Sequence, residues 1–471
     1  MGLLNLGKGS HPIWFDNRPR FHFSAGRLFD LTEHRMSAQP SRRLFLAFAG
    51  AGVGSFSLPA GAAPAQQASA AVERSTTRVR GLQSPEMDFQ LMRSLGAGNY
   101  GGGTPGEIFQ RLGTIDGNVP AQWPPAFGAL AREVEAKAEK AARNGHAVSA
   151  RDHYSRASMY WRAAEYFSDP FGPDMRERGL ASRSAFLAAT KGIRDKIEPI
   201  DIPFEGMKLP GYLMTPAVKP NGRTILILTG FDGTGEELYF ETARAGLERG
   251  FTVFVGQGPG QIGTLRFYPK SVFRPDYEKP ISAMIDVALS RPEVDPRKLA
   301  LYGISLGGYF ATRGAEHDQR IKAVILNSPV VDLRAYMMGF VGGEEGAKKL
   351  PPLKLSEVDS VPDNEMHPTQ KLLFKDACQR FGVDSLAGWF ERLKAFNAVD
   401  RLAQIKCPSL AMVGAVEGPE ALAQMETFAA RASGPVTRRV FEVAEGADMH
   451  CQLGNLPLSN AVLYDWLAEV L

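Results

Sequence analysis

The chain has 471 residues, enough for more than one folded unit, since domains usually run to roughly 100–200 residues. Its 44% hydrophobic and 22% charged residues leave ample material for a core, and a formal net charge of +3 excludes the strongly basic surface that nucleic acid or an anionic membrane would select. Three cysteines (Cys378, Cys407, Cys451), with no CxxC pair, exclude a disulfide framework or a cysteine metal site and read as free thiols.

In chain order, residues 1–35 precede a conventional-looking start at Met36 and enter no fold reasoning. Arg42 and Arg43 stand directly before a short apolar stretch, Leu44 to Leu58. Small residues follow at Ala60-Gly61-Ala62 and Ala68-Ser69-Ala70. This order predicts a twin-arginine signal peptide over 36–70, the twin-arginine export machinery as a partner, and a periplasmic or secreted mature protein. The stretch is too short and too rich in glycine and alanine for a membrane span, which needs about 20 apolar residues, so no stable membrane anchor is expected.

Residues 71–120 are polar and glycine-rich, with six glycines from Gly96 to Gly106, and read as a loop-heavy approach to the first helices. Helical spacing then dominates to about residue 195. Phe127, Leu130, Val134, Ala138 and Ala141 share one face and Asn144-Gly145 stops the helix. Ser149 with Asp152 reads as a capping box for a second helix carrying Tyr154, Trp161 and Phe167. A third covers Arg176 to Arg194. Together they predict a helical cap domain over 71–195, its aromatic stripe serving as core.

From Ile200 the rhythm becomes that of an α/β protein. A hairpin turns at Glu205-Gly206. Strands are predicted at Thr224–Thr229, Phe251–Val255, Lys298–Tyr302, Ala323–Asn327, Ser409–Val413 and Arg439–Val443. Helices at Glu236–Arg249, Ile281–Leu289, Leu306–Glu316 and Glu420–Arg431, with a last one ending at Leu471, alternate with them. The alternation predicts a mainly parallel, doubly wound sheet over 196–471, interrupted by a lid insertion at 333–400.

Gly303-Ile304-Ser305-Leu306-Gly307 is a G-x-S-x-G motif between a predicted strand and a predicted helix, the arrangement that lifts a serine clear of a sheet. Ser305 is therefore the expected nucleophile. Its general base follows by elimination. His11, His22 and His34 lie in or before the leader, His146 and His153 in the helical region, His317 at the far end of the helix after the elbow, and His367 in the insertion. His450 alone follows the last strand, where serine–acid–histidine order requires it. Glu417, three residues past the glycine that ends the preceding strand, is the expected acid, with Glu420 as the alternative. The N–H groups of Leu306 and Phe231 are the expected oxyanion donors. Asp232, beside Phe231, is a candidate proton-handling group.

These motifs, with Gly256-Gln257-Gly258-Pro259-Gly260-Gln261 and Ala447-Asp448-Met449-His450-Cys451-Gln452, give the chain over about 120–471 a resemblance to one group of α/β hydrolases. That group contains 2,6-dihydroxypseudooxynicotine hydrolase and the fungal yellowish-green pigment hydrolases that shorten polyketides. The resemblance implies an N-terminal helical cap over the catalytic domain, Ser305 and His450 at the family positions, and carbon–carbon cleavage beside a carbonyl as an activity. It also implies that Asp232 matches an acidic residue assisting catalysis. The chain departs from the group in presenting glutamate where aspartate is common, and in its twin-arginine leader. The expected function is a serine esterase or carbon–carbon bond hydrolase acting on a small-molecule carbonyl compound. An exported peptidase of the same fold, or a binding protein that keeps the fold, are the alternatives. No metal or other cofactor is implied, and assembly as a homodimer is left open.

Overall fold

The computed structural model describes residues 81–350 and 352–471. The twin-arginine segment, its cleavage signals and residues 1–35 lie outside the described residues.

Among the described residues five α-helices precede the sheet: α1 (Pro85–Gly96), α2 (Pro105–Leu112), α3 (Trp123–Arg143), α4 (Ala147–Tyr166) and α5 (Pro173–Thr190). The first two correct the loop-heavy reading of 71–120. Ser84 caps α1 by accepting the Met87 amide, Pro85 occupies its first turn, and Glu86 and Asp88 complement its dipole. The glycines downstream masked that start signal. At the other end of α1, a Cβ at Gly96 would lie 2.3 Å from the Leu453 carbonyl, so glycine there lets the helix end rest on the chain just past His450. Ser149 does not cap α4, which begins two residues earlier with His146 at its cap. Of the aromatic stripe, Trp161 and Phe167 are buried in the core and Tyr154 packs half-buried against it. Trp123 stacks on Phe127 at 4.3 Å between ring centres and meets the edge of Phe167 in the same cluster.

The sheet has eight strands: β1 (Lys196–Phe204), β2 (Met207–Thr215), β3 (Thr224–Leu228), β4 (Thr252–Gly256), β5 (Leu299–Ile304), β6 (Ala323–Asn327), β7 (Ser409–Gly414) and β8 (Val436–Phe441), in the order β1-β2-β4-β3-β5-β6-β7-β8. β1 and β2 form the antiparallel hairpin and β2 runs antiparallel to β4; every other pairing is parallel. β3 to β7 are buried along their whole length, as a sheet covered on both faces requires. Carboxyl ends of parallel strands are where such sheets place their ligands, and β3, β5 and β7 deliver Gly230, Ser305 and Glu417 there.

Between β6 and β7 the chain forms helices at Leu333–Gly339, Gly343–Ala347, Pro368–Phe381 and Leu386–Leu393. The predicted Glu236–Arg249 helix is not regular. It opens α-helically at Gly235–Leu238, widens to a π-helical turn at Tyr239–Ala243, and tightens again at Arg244–Glu248.

Candidate active site

Ser305 stands between β5 and the helix Gly307–His317 with φ at +59°, in the left-handed region that costs a non-glycine residue energy. The flanking glycines permit the turn. A Cβ at Gly303 would lie 1.9 Å from the Gly307 carbonyl, and one at Gly307 2.7 Å from that of Thr229. The Ser305 N–H donates to the Asn327 carbonyl, tying the elbow to the end of β6.

His450 Nε2 lies 2.9 Å from Ser305 Oγ, and His450 Nδ1 lies 2.6 Å from Glu417 Oε2. A carboxylate against Nδ1 fixes the proton there and leaves Nε2 to accept from the serine. Glu417 is buried. Its Oε1 accepts the Gly414 amide at 2.7 Å, and its Oε2 also accepts from Ser328 Oγ at 2.5 Å and, more weakly, from Tyr336 Oη at 3.5 Å. Burial pushes this carboxyl up, but the His450 charge and the bonds from His450, Ser328 and Gly414 outweigh it and hold Glu417 below the ordinary range. Glu420 points elsewhere, accepting from Gln424 Nε2 at 2.8 Å. His317 Nδ1 sits 2.9 Å from the Arg313 carbonyl, and His367 caps the helix Pro368–Phe381. Neither histidine is near the serine's hydrogen-bond chain.

Phe231 and Gly230 line the same cavity as Ser305. A Cβ at Gly230 would sit 2.6 Å from the Leu306 nitrogen and 2.6 Å from Ser305 Cβ, so the β3 loop abuts the elbow only because that residue is glycine. Among the described residues no hydrogen bond engages the Phe231 or Leu306 N–H. Both amides are open to a developing oxyanion. Phe231 is held from behind. Its ring stacks on Phe381, and the buried Arg380 guanidinium lies 4.5 Å from the ring centre.

The cavity holds about 70 Å³, room for a reacting centre and little more. Its floor is the serine, the histidine and the Gly230–Gly233 loop. Phe89 and Arg93 of α1, Tyr166 of α4 and Leu373 of the insertion enclose it. Helical region and insertion therefore both reach the serine. The contact is electrostatic as well as apolar. Arg93 donates to Glu237 through Nε at 2.6 Å and its second terminal nitrogen at 2.8 Å, and to Asp232 Oδ2 at 3.0 Å. Arg162 of α4 donates to Glu237 at 3.2 Å and to the Asp232 carbonyl. Arg266 joins Glu165 of α4, at 2.6 and 2.9 Å, to Glu236 at 2.9 Å. Glu236 also accepts from Tyr212 Oη at 2.5 Å. Burial raises the Glu236 carboxyl, and Arg266, the Tyr212 bond and Arg183 more than offset it, so the group stays below the ordinary range.

Sequence reasoning did not find Arg93, Glu241 or Arg380. Arg93 lies 212 residues before Ser305 in a stretch read as loop (305 − 93 = 212). Glu241 stands in a turn read as regular helix. The acids Glu236 and Glu237 were visible and explained as helix-start residues, which they are: Thr234 and Glu237 form a capping box. Their second role, holding four arginines (Arg93, Arg162, Arg183 and Arg266), depends on segments far away in sequence. The three cysteines are unpaired, Cys378 buried and Cys407 and Cys451 half-buried. Among the described residues no group of three or more His, Cys, Asp or Glu side chains is placed to hold a metal ion.

Comparison with known proteins shows the family and the fold. The chain is 33% identical over 343 residues to a hydrolase of Pyricularia oryzae, covering 69% of this chain and 80% of that protein. The chain belongs to the α/β-hydrolase family. It is an enzyme, and its recognised neighbours are hydrolases. It is 36% identical over 257 residues to the 20-hydroxy-prefusarin hydrolase of Gibberella moniliformis, spanning 52% of this chain and 61% of that protein. The family model described as the prolyl oligopeptidase family matches residues 278–345, which include the elbow. The solved structure of 2,6-dihydroxy-pseudo-oxynicotine hydrolase shares the fold, with a TM-score of 0.60 at 22% identity over 80% of this chain and 95% of that one.

Proposed function

We propose that this α/β hydrolase works as a serine hydrolase on a small-molecule carbonyl compound. Ser305 is its nucleophile, His450 its general base and Glu417 the acid that orients the imidazole. The observation that carries the reading is the unbroken chain Ser305 Oγ–His450–Glu417, at 2.9 and 2.6 Å, on an elbow held in a left-handed conformation. Ser305 attacks the carbonyl carbon and passes its proton to His450 Nε2. The Phe231 and Leu306 amides receive the oxyanion. Collapse of the tetrahedral adduct expels the leaving group, and water, activated by the same histidine, hydrolyses the acyl-enzyme. A buried carboxylate beside Nδ1 stabilises the imidazolium formed on the way.

The bond broken is an ester, a lactone or a carbon–carbon bond beside a ketone. The acidic Asp232–Glu241 side of the cavity favours leaving groups that need a proton, and the relative named as a 20-hydroxy-prefusarin hydrolase supports a small-molecule substrate. The prolyl oligopeptidase match over 278–345 supports a peptidase as the second reading. The cavity's closure by α1, α4 and the insertion argues against a long peptide.

Aryl-ester hydrolysis by the wild type, Ser305→Ala and Glu417→Gln tests the proposal. Turnover by the wild type that is lost in Ser305→Ala supports it. Equal turnover by wild type and Ser305→Ala removes Ser305 from the chemistry.

A further inference from the structure

Three carboxylates, Asp232, Glu237 and Glu241, gather around one guanidinium, and they are not equivalent. Arg93 donates its hydrogen bonds to Asp232 and Glu237. Glu241 comes within 3.8 Å of Arg93 Nε and takes no hydrogen bond on its carboxyl among the described residues. It is only 9% exposed, and it lines the Ser305 cavity with His450 and Asp232. It is presented there by a deformation of the backbone. Tyr239–Ala243 is a π-helical turn, and the Glu241 carbonyl is held by Asn460 Nδ2 at 2.8 Å. Such turns are rare and concentrate at functional sites, because the extra residue re-aims a side chain that a regular helix would direct elsewhere.

We propose that Glu241 is a neutral carboxylic acid in the working enzyme and donates its proton to the leaving group, while Asp232 serves to hold Arg93. This rests on Ser305 being the nucleophile. Charge placement supports it. Burial and the neighbouring Glu237 push the Glu241 carboxyl up, Arg93 pulls it down, and Asp232 pushes it up again while Arg162 pulls it down; the balance lies at about 8. Neighbouring carboxyls whose environments differ in this way divide into an acid and a charged partner. In the acylation step the Ser305 Oγ–carbon bond forms and the serine proton passes to His450. The carbon–leaving-group bond then breaks, its electron pair goes to the leaving atom, and that atom takes the Glu241 proton. A water in the cavity carries the imidazolium proton back to the Glu241 carboxylate. His450 is then neutral to activate the hydrolytic water, and the overall change is addition of one water across the bond.

The test compares two esters of one acid, one with an aryl leaving group that departs unaided and one with an alkyl leaving group that needs a proton. General acid catalysis is worth about 10²–10⁴-fold. The aryl-to-alkyl ratio of kcat/KM is therefore expected to rise about 100-fold in Glu241→Gln, and less in Glu241→Asp, which keeps the acid. An unchanged ratio in Glu241→Gln overturns the assignment. The wild type alone gives a second readout that needs no variant to fold. Alkyl-ester kcat should fall as pH rises through about 8 while aryl-ester kcat does not, and parallel profiles would overturn the assignment. A fluorophosphonate that fails to modify wild-type Ser305 would overturn the serine reading instead.

Discussion

The two walls of the cavity are built on different principles. The triad wall is local: Ser305, Glu417 and His450 each follow the end of a strand or its loop, and glycines set the backbone that carries them. The opposite wall is assembled at long range, from Arg93 and Arg162 on helices that precede the sheet and from acids on the segment after β3. The first holds its groups by backbone geometry. The second holds them by buried charge, where removing one partner strands the others. Substitutions in the first wall, the buried Glu417 excepted, should therefore cost rate with little stability, and those in the second should cost both.

The largest effect is expected at the triad. Ser305→Ala should lower kcat by about 10⁶-fold with melting temperature little changed. Glu417→Gln should lower kcat by about 10⁴-fold and the melting temperature as well, since the charge it removes is bonded to His450, Ser328 and the Gly414 amide. Glu420→Gln, which touches only the Gln424 side of its helix, should stay within about twofold of wild type. A tenfold loss in Glu420→Gln would break the assignment of the acid. Next comes Gly230→Ala. Its methyl group would press on the Leu306 amide and Ser305 Cβ, and the loss of one oxyanion donor costs about 10²–10³-fold in kcat. Steady-state kinetics beside a thermal melt reads both.

Arg93→Met sharpens the contrast. It removes from Asp232 and Glu237 the cation they share, leaving Glu237 only its longer bond from Arg162, and should cost about 3–5 kcal/mol of stability as well as activity. Arg297→Met removes an ion pair to Asp295 whose arginine is 84% exposed, and should leave the melt unchanged.

Much of the first wall was legible in the sequence because its determinants are contiguous. The G-x-S-x-G spacing, the single histidine after the last strand and the glycine ending β7 each lie within a few residues of the group they place. The alternation of strands and helices gave the sheet with boundaries shifted by a few residues, β8 starting at Val436 in place of Arg439. The second wall was hidden for two physical reasons. The α1 start signal at Ser84-Pro85 lies beside a glycine cluster that reads as loop. The π turn changes no residue type, so nothing in the helical pattern of 236–249 marks Glu241 as redirected.

Smaller effects of pH separate the walls again. Glu417 is held low in the folded protein, so its contribution to stability is complete above the ordinary carboxylate value of 4.5 and is lost as pH falls below it. Glu241 is held high. Its contribution is complete below 4.5 and is lost as pH rises towards about 8, above which no further loss occurs. The melting temperature of wild type relative to Glu241→Gln should therefore fall between pH 4.5 and about 8 and then level off. A flat difference would show that Glu241 is charged throughout.

The central claim, that Ser305 is a nucleophile activated by His450, is met most directly by intact-mass and peptide mass spectrometry after exposure to a fluorophosphonate. The account predicts a single adduct on the peptide containing Ser305, absent in Ser305→Ala and slowed by several orders of magnitude in His450→Ala. An adduct on another residue, or none on folded wild-type protein, would contradict it.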